Sequence, residues 1–185
     1  AHGGVQAALN FTVLWCLACD VALIGPDFGC DETALLEVFV THTQEELQAG
    51  KRVWEGRTDQ HLVDHLKSNL GHSYRHLNQL LNLLYMGDRV EDDSVDEELA
   101  AQQVATLKEE CDKGWFEDFD ESLIIVIIGK NTTDQNMLVA QLYEKKYESS
   151  LTKQLKGKCG DRLHYALNAL LMPKADFLAM RLHDA

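Results

Sequence analysis

GPDFGCDETALLEVFVTHTQEELQAGKRVWE, residues 25–55, and GWFEDFDESLIIVIIGKNTTDQNMLVAQLYE, residues 114–144, align without a gap when the first is moved forward by 89 positions. Gly25 then meets Gly114, Asp31-Glu32 meets Asp120-Glu121, Thr43 meets Thr132, and Val53-Trp54-Glu55 meets Leu142-Tyr143-Glu144. The register continues through residue 83. Leu62, Leu66, Lys67, Gly71 and Leu81 fall on Leu151, Leu155, Lys156, Gly160 and Leu170. One offset shared by apolar, capping and glycine positions implies two copies of a single multi-helix unit.

Within each copy the apolar residues recur at helical spacing, and two prolines in 185 residues leave that pattern almost uninterrupted. Residues 31–41 read as a short buried helix. Thr43-Gln-Glu-Glu46 is a capping box that opens a second helix running to about Trp54, and Thr132 to Gln135 is its counterpart. Residues 58–69 and 72–86 read as a third and fourth helix, with Gly71 between them as a helix-ending residue. An acidic connector, residues 87–98, leads into a fifth helix through about Glu110, after which the unit restarts at 120–128, 133–147, 149–157 and 161–172, with a last helix from Lys174. The predicted fold class is all-α. The predicted organisation is 1–24 as the end of an earlier unit, 25–113 as a full unit and 114–185 as the next.

Composition narrows the function. Lys+Arg 17 against Asp+Glu 30 gives a net charge of -13, which repels phosphate backbones and excludes nucleic acid as an expected partner. Five cysteines are an odd number scattered through helical segments, so a disulfide framework is not expected and a reducing compartment fits better. Cys16 and Cys19 form a lone Cys-x-x-Cys without a second metal-spaced pair, and read as small buried hydrophobes. The apolar run at residues 7–24 lacks a basic flank and carries Asn10, Thr12 and Asp20, which argues against a signal peptide or a membrane span. The chain opens on Ala1, as expected for a piece of a longer protein.

No phosphate-binding glycine loop, nucleophile elbow or catalytic dyad is present, so no enzymatic activity is expected. His61/His65 and His72/His76 are i,i+4 pairs, but neither has the glutamate of His-Glu-x-x-His. A zinc hydrolase is the weakest of the readings considered.

The unit start near Gly-x-Asp-Glu, the segment Tyr143-Glu-Lys-Lys-Tyr-Glu-Ser-Ser-Leu151 and the unit end FLAMRLHDA resemble the annexin repeat, extending to divergent annexins of the alpha-giardin kind. The resemblance covers essentially the whole chain, as the second and third repeats preceded by the end of the first. It implies five-helix repeats, each a right-handed superhelix, arranged as part of a curved disc whose convex face binds membranes through calcium. In that family the loop before the first helix, typically Gly-x-Gly-Thr, supplies backbone carbonyls, and an acidic residue at the end of the third helix closes the site. Calcium takes six to eight oxygen ligands, so such a site leaves positions open for lipid phosphate.

This chain departs from that pattern. The first loop reads Asp27-Phe28-Gly29-Cys30, and the closing position carries Asn69, so Asp27, Gly29 and Asn69 are candidates for a weakened calcium site. The second loop reads Glu117-Asp118-Phe119-Asp120 and its closing position is Lys158, which should abolish the usual site. Glu117, Asp118 and Asp120 read first as a charged helix N-terminus and second as a shallower oxygen site. Phe28, Trp115 and Phe116 occupy loops that face the bilayer in annexins, and are candidates for membrane contact; the alternative is that they pack under their own loops.

The expected function is annexin-like binding to anionic phospholipid at the cytoplasmic face of a membrane, with calcium dependence weak or lost. The alternative is a non-enzymatic helical scaffold that binds cytoskeletal or other protein partners without calcium.

Overall fold

The computed structural model describes residues 32–62, 64, 68, 74–86, 94–114 and 116–184. Nine helices are delimited among them: α1 (Glu32–Thr41), α2 (Gln44–Thr58), α3 (Arg75–Met86), α4 (Glu97–Asp112), α5 (Glu121–Lys130), α6 (Thr133–Tyr147), α7 (Leu151–Lys156), α8 (Asp161–Leu170) and α9 (Lys174–Asp184). The all-α expectation holds, with no strand among the described residues. They divide into two compact units between Gly87 and Asp88, the first carrying α1 to α3 and the second α4 to α9.

The 89-residue offset reappears in the backbone. It carries both ends of α1 onto the ends of α5 and both ends of α2 onto those of α6. Asp59 and Glu148, one offset apart, are the two non-glycine residues with positive φ among those described, at 54° and 53°, and each ends its helix in the left-handed conformation. That stop comes one turn later than Trp54, where the sequence pattern alone ends the second helix. The extra turn carries Thr58, whose hydroxyl donates to the Trp54 carbonyl at 2.9 Å.

Helix starts follow side-chain chemistry. Thr43 accepts from the Glu46 N–H at 3.2 Å while Glu46 accepts from the Thr43 N–H at 2.9 Å, completing the reciprocal box that spares two otherwise unpaired donors. Thr132 likewise accepts from the Gln135 N–H at 3.0 Å, but the Gln135 side chain is used elsewhere. Its oxygen takes the Asp96 N–H at 2.8 Å and its amide donates to the Asp96 carbonyl at 3.0 Å, which pins the start of α4 to the start of α6.

In the first unit α3 packs against both α1 and α2. Leu35, Leu36 and Phe39 from α1, Leu47 and Trp54 from α2, and Leu77, Leu80, Leu81 and Leu84 from α3 form its core. In the second unit α4 packs on α6, α5 on α8, and α7 on both α6 and α8. Its core is apolar along Val104, Leu107, Ile124, Ile125, Ile128 and Val139, and Tyr143 is buried there.

One part of that core is polar. Asn136 is fully buried, and its amide donates to the Ile128 carbonyl at 2.8 Å and the Leu170 carbonyl at 3.1 Å. Its oxygen accepts from Asn131 at 3.0 Å, and Asn131 exchanges two 2.9 Å hydrogen bonds with Gln103. Four helices therefore meet on one amide network, whose free ends are helix C-terminal carbonyls that have no partner within their own helix. The position of the first unit that matches Asn136 by offset is Leu47, so the two copies fill the same place with different chemistry. Replacing Asn136 by Ala strands two buried carbonyls, and urea unfolding should show a loss of about 2–4 kcal/mol. A loss below about 1 kcal/mol would mean the network does not join those helices.

Candidate functional site

The loop between α4 and α5 is the best-described of the two candidate binding loops. It begins where α4 ends on a buried acid. Glu110 is 7% exposed, the only buried carboxylate among the described residues, and it lies on the stripe of α4 that also buries Leu107 and Cys111. Its Oε1 pairs with the Lys113 ammonium at 2.7 Å, and its Oε2 accepts the Asp120 N–H at 3.0 Å. Burial alone would raise this carboxyl; the hydrogen bonds from Lys113 and Asp120, with the charge of Lys113, outweigh that and hold it below the ordinary 4.5. The hydrogen bond to Glu110, then the charge of Glu110, raises the Lys113 ammonium above its ordinary value.

Lys113 also reaches along the loop to donate to the Asp118 carbonyl at 3.0 Å. Between these two residues the chain makes a tight turn. The Glu117 N–H donates to the Gly114 carbonyl at 3.1 Å, and the Glu117 carboxylate accepts the Gly114 N–H at 2.6 Å. Asp120 caps α5 by accepting the Leu123 N–H at 3.1 Å. From α7's end, 45 residues on, the Lys158 ammonium donates to the Lys113 carbonyl. Phe116 stands in the turn and is 98% exposed.

These contacts bear on each residue singled out by sequence. Phe116 does not pack under its loop: it projects into solvent. Asp120 caps α5, which is the helix N-terminus reading, whereas Glu117 closes the turn on the Gly114 N–H and the Asp118 side chain is exposed. Lys158, expected at the closing position, is placed against the loop. Asp27, Phe28, Gly29, Asn69 and Trp115 lie outside the described residues, as do Cys16, Cys19 and the apolar run at 7–24. His61 lies 3.2 Å from Glu55 and His76 lies 3.2 Å from Arg75; their partners in the two spaced pairs, His65 and His72, are also outside. Cys111 and Cys159 are buried free thiols; burial pushes both up, Cys159 to about 12, which keeps them neutral.

Two residues escape a reading of the sequence alone, Glu110 and Lys113. The signal is present: Leu107, Glu110 and Cys111 share a buried helical stripe, and an acid on such a stripe requires a partner, here three residues on.

The donor set can be tested against calcium, the ion the family resemblance implies. Two ammonium groups already lie on the carbonyls of Lys113 and Asp118. A dication brought to those oxygens would face them at close range, a repulsion on the order of several kcal/mol at an effective dielectric of about 20. The residues of this loop do not fit calcium. Among the described residues no group of three His, Cys, Asp or Glu side chains is arranged to hold a metal ion.

Glu110 also sets a pH dependence. Its folded-state value is lowered, so its contribution is complete above the ordinary 4.5 and is lost as pH falls through the lower folded value. Glu110→Gln should therefore cost about 1–3 kcal/mol at neutral pH, and its difference from wild type should shrink as pH drops below 4.5. Urea unfolding across that range checks this; a pH-independent difference would remove the assigned ionic role.

Comparison with known proteins places these features. No protein-family model matches the chain. It is 28% identical over 165 residues to annexin A6 of Gallus gallus, covering 85% of this chain and 23% of that protein. It is 29% identical over 162 residues to annexin A3 of Rattus norvegicus, covering 85% of this chain and 48% of that one. The chain thus spans about half, or less, of the length of the curated relatives it matches. Among solved structures, annexin III superimposes with a TM-score of 0.85 at 24% identity, over 95% of this chain and 53% of that one. A calcium-bound alpha-14 giardin superimposes with a TM-score of 0.79 at 20% identity, over 95% and 57%. Sequence likeness to annexins along most of the chain, together with the shared all-helical fold, supports a divergent annexin-family protein.

Proposed function

We propose that this chain attaches peripherally to anionic phospholipid membranes at their cytoplasmic face, without enzymatic activity, through loops 25–32 and 114–121. Its sequence falls into the second and third repeats of an annexin, preceded by the end of the first. Calcium dependence is weak, carried by Asp27, Gly29 and Asn69 of the earlier loop, because the later loop does not accept the ion. Phe28, Trp115 and Phe116 are the membrane-contact residues.

The observation that carries this reading is Phe116, an aromatic ring 98% exposed at a loop tip in an annexin-family fold. An exposed ring of that kind gains about 1.5–3 kcal/mol when it leaves water for the lipid interface. That is small. A net charge of -13 opposes approach to an anionic surface, and a single myristoyl chain, with far more apolar area, gives only marginal attachment. Stable binding therefore needs both loops together, with an ion at the earlier one offsetting the charge. Among the described residues no helix is long and apolar enough to cross a membrane.

Co-sedimentation with phosphatidylserine vesicles tests the reading. Binding should rise modestly with calcium, stay well below that of an annexin with intact loops, and fall roughly tenfold in partition constant for Phe116→Ser. Vesicle binding that is absent at every calcium level, with equal sedimentation on cytoskeletal filaments in chelator and in calcium, would replace this reading with a scaffold role. Tight micromolar calcium binding by calorimetry would overturn the assignment of weakened sites.

A further inference from the structure

We propose that Lys158 and Lys113 are the built-in cations of the 113–120 loop, keeping it folded with no divalent ion bound. The Lys158 ammonium takes the Lys113 carbonyl, and the Lys113 ammonium takes the Asp118 carbonyl, so the two oxygens that bracket the turn are each held by a positive charge from the chain itself. A third contact makes the arrangement hard to displace. Lys113 is simultaneously the partner of Glu110, and moving it aside to admit an ion would leave a carboxylate that is 7% exposed without its counter-charge.

Three of the acidic side chains at this loop are already committed, while that of Asp118 is exposed. Glu117 holds the Gly114 N–H, Asp120 holds the Leu123 N–H, and Glu110 holds both Lys113 and the Asp120 N–H. A metal would have to break several of these contacts to gain its ligands. An ammonium satisfies the same carbonyls by hydrogen bonding and needs only one or two oxygens, where calcium needs six to eight.

The two lysines come from different places in the chain. Lys113 follows α4 directly, whereas Lys158 follows α7 and closes a separation of 45 residues. The contact therefore ties the loop to the end of α7, so that the position of Phe116 is set by packing in this unit instead of by an ion in solution. Where membrane attachment operates as proposed above, that ring is presented at any calcium level; the loop's order itself does not rest on that reading.

Amide hydrogen exchange on the full chain, without lipid, tests this. Exchange at the Glu117 and Asp120 amides should be the same in chelator and in millimolar calcium. Lys158→Met, which keeps the length of the stem and removes the charge, should speed loop exchange about tenfold while α6 stays as protected as in wild type. Lys158→Arg should restore most of the protection. Loop exchange in the wild type that slows on adding calcium would overturn the proposal, and so would a Lys158→Met loop as protected as the wild-type loop. The calcium arm needs no variant, so it decides even if Lys158→Met does not fold. Failure of vesicle binding would count against membrane attachment and leave this result untouched.

Discussion

Burying one carboxylate at the end of α4 dictates the path of the chain from there to the start of α5. Glu110 lies on a stripe shared with Leu107 and Cys111, and an ionised group there has to be compensated locally. Lys113 supplies the charge and the Asp120 N–H supplies the second donor, so the chain must turn back on itself between these residues. The turn that results is short, closed on both sides by Glu117, and it leaves Phe116 no apolar surface to cover it. The exposed ring is thus a consequence of how a buried charge is neutralised.

The same unit solves a second problem of unpaired polar groups by a different route. Helix C-termini leave carbonyls without intrahelical partners, and here Asn136 collects one from α5 and one from α8. Gln135 does comparable service at the start of α4. In the first unit the matching core position is Leu47, so the duplicated helices tolerate either an amide network or a leucine at that place. What the two copies share is helix length and capping. What they do not share is the polar chemistry between helices.

This difference marks the limit of what is legible in the sequence. Helix starts, the capping box at Thr43 and the repeat register can be read because they depend on neighbours within a few residues, and the offset carries α1 onto α5 and α2 onto α6 without adjustment. The left-handed stops at Asp59 and Glu148 cannot, since neither is the glycine or asparagine that usually signals such a turn. Contacts between distant segments are also hidden. The position of Lys158 predicts that it spoils an ion site, but nothing in its surroundings in sequence shows that it hydrogen-bonds the Lys113 carbonyl. Glu110 has no compositional signature in an acidic chain, and only its place on the stripe of Leu107 and Cys111 marks it.

A loop ordinarily associated with a bound ion in this family is, on the proposal above, organised here by the protein's own ammonium groups. A crystal structure of the second unit's loop, from crystals of the full chain grown in calcium, addresses this most directly. Lys158 Nζ should then lie within hydrogen-bond distance of the Lys113 carbonyl, with no ion on that oxygen. An ion on the Lys113 and Asp118 carbonyls, with Lys158 swung away from the loop, would contradict it.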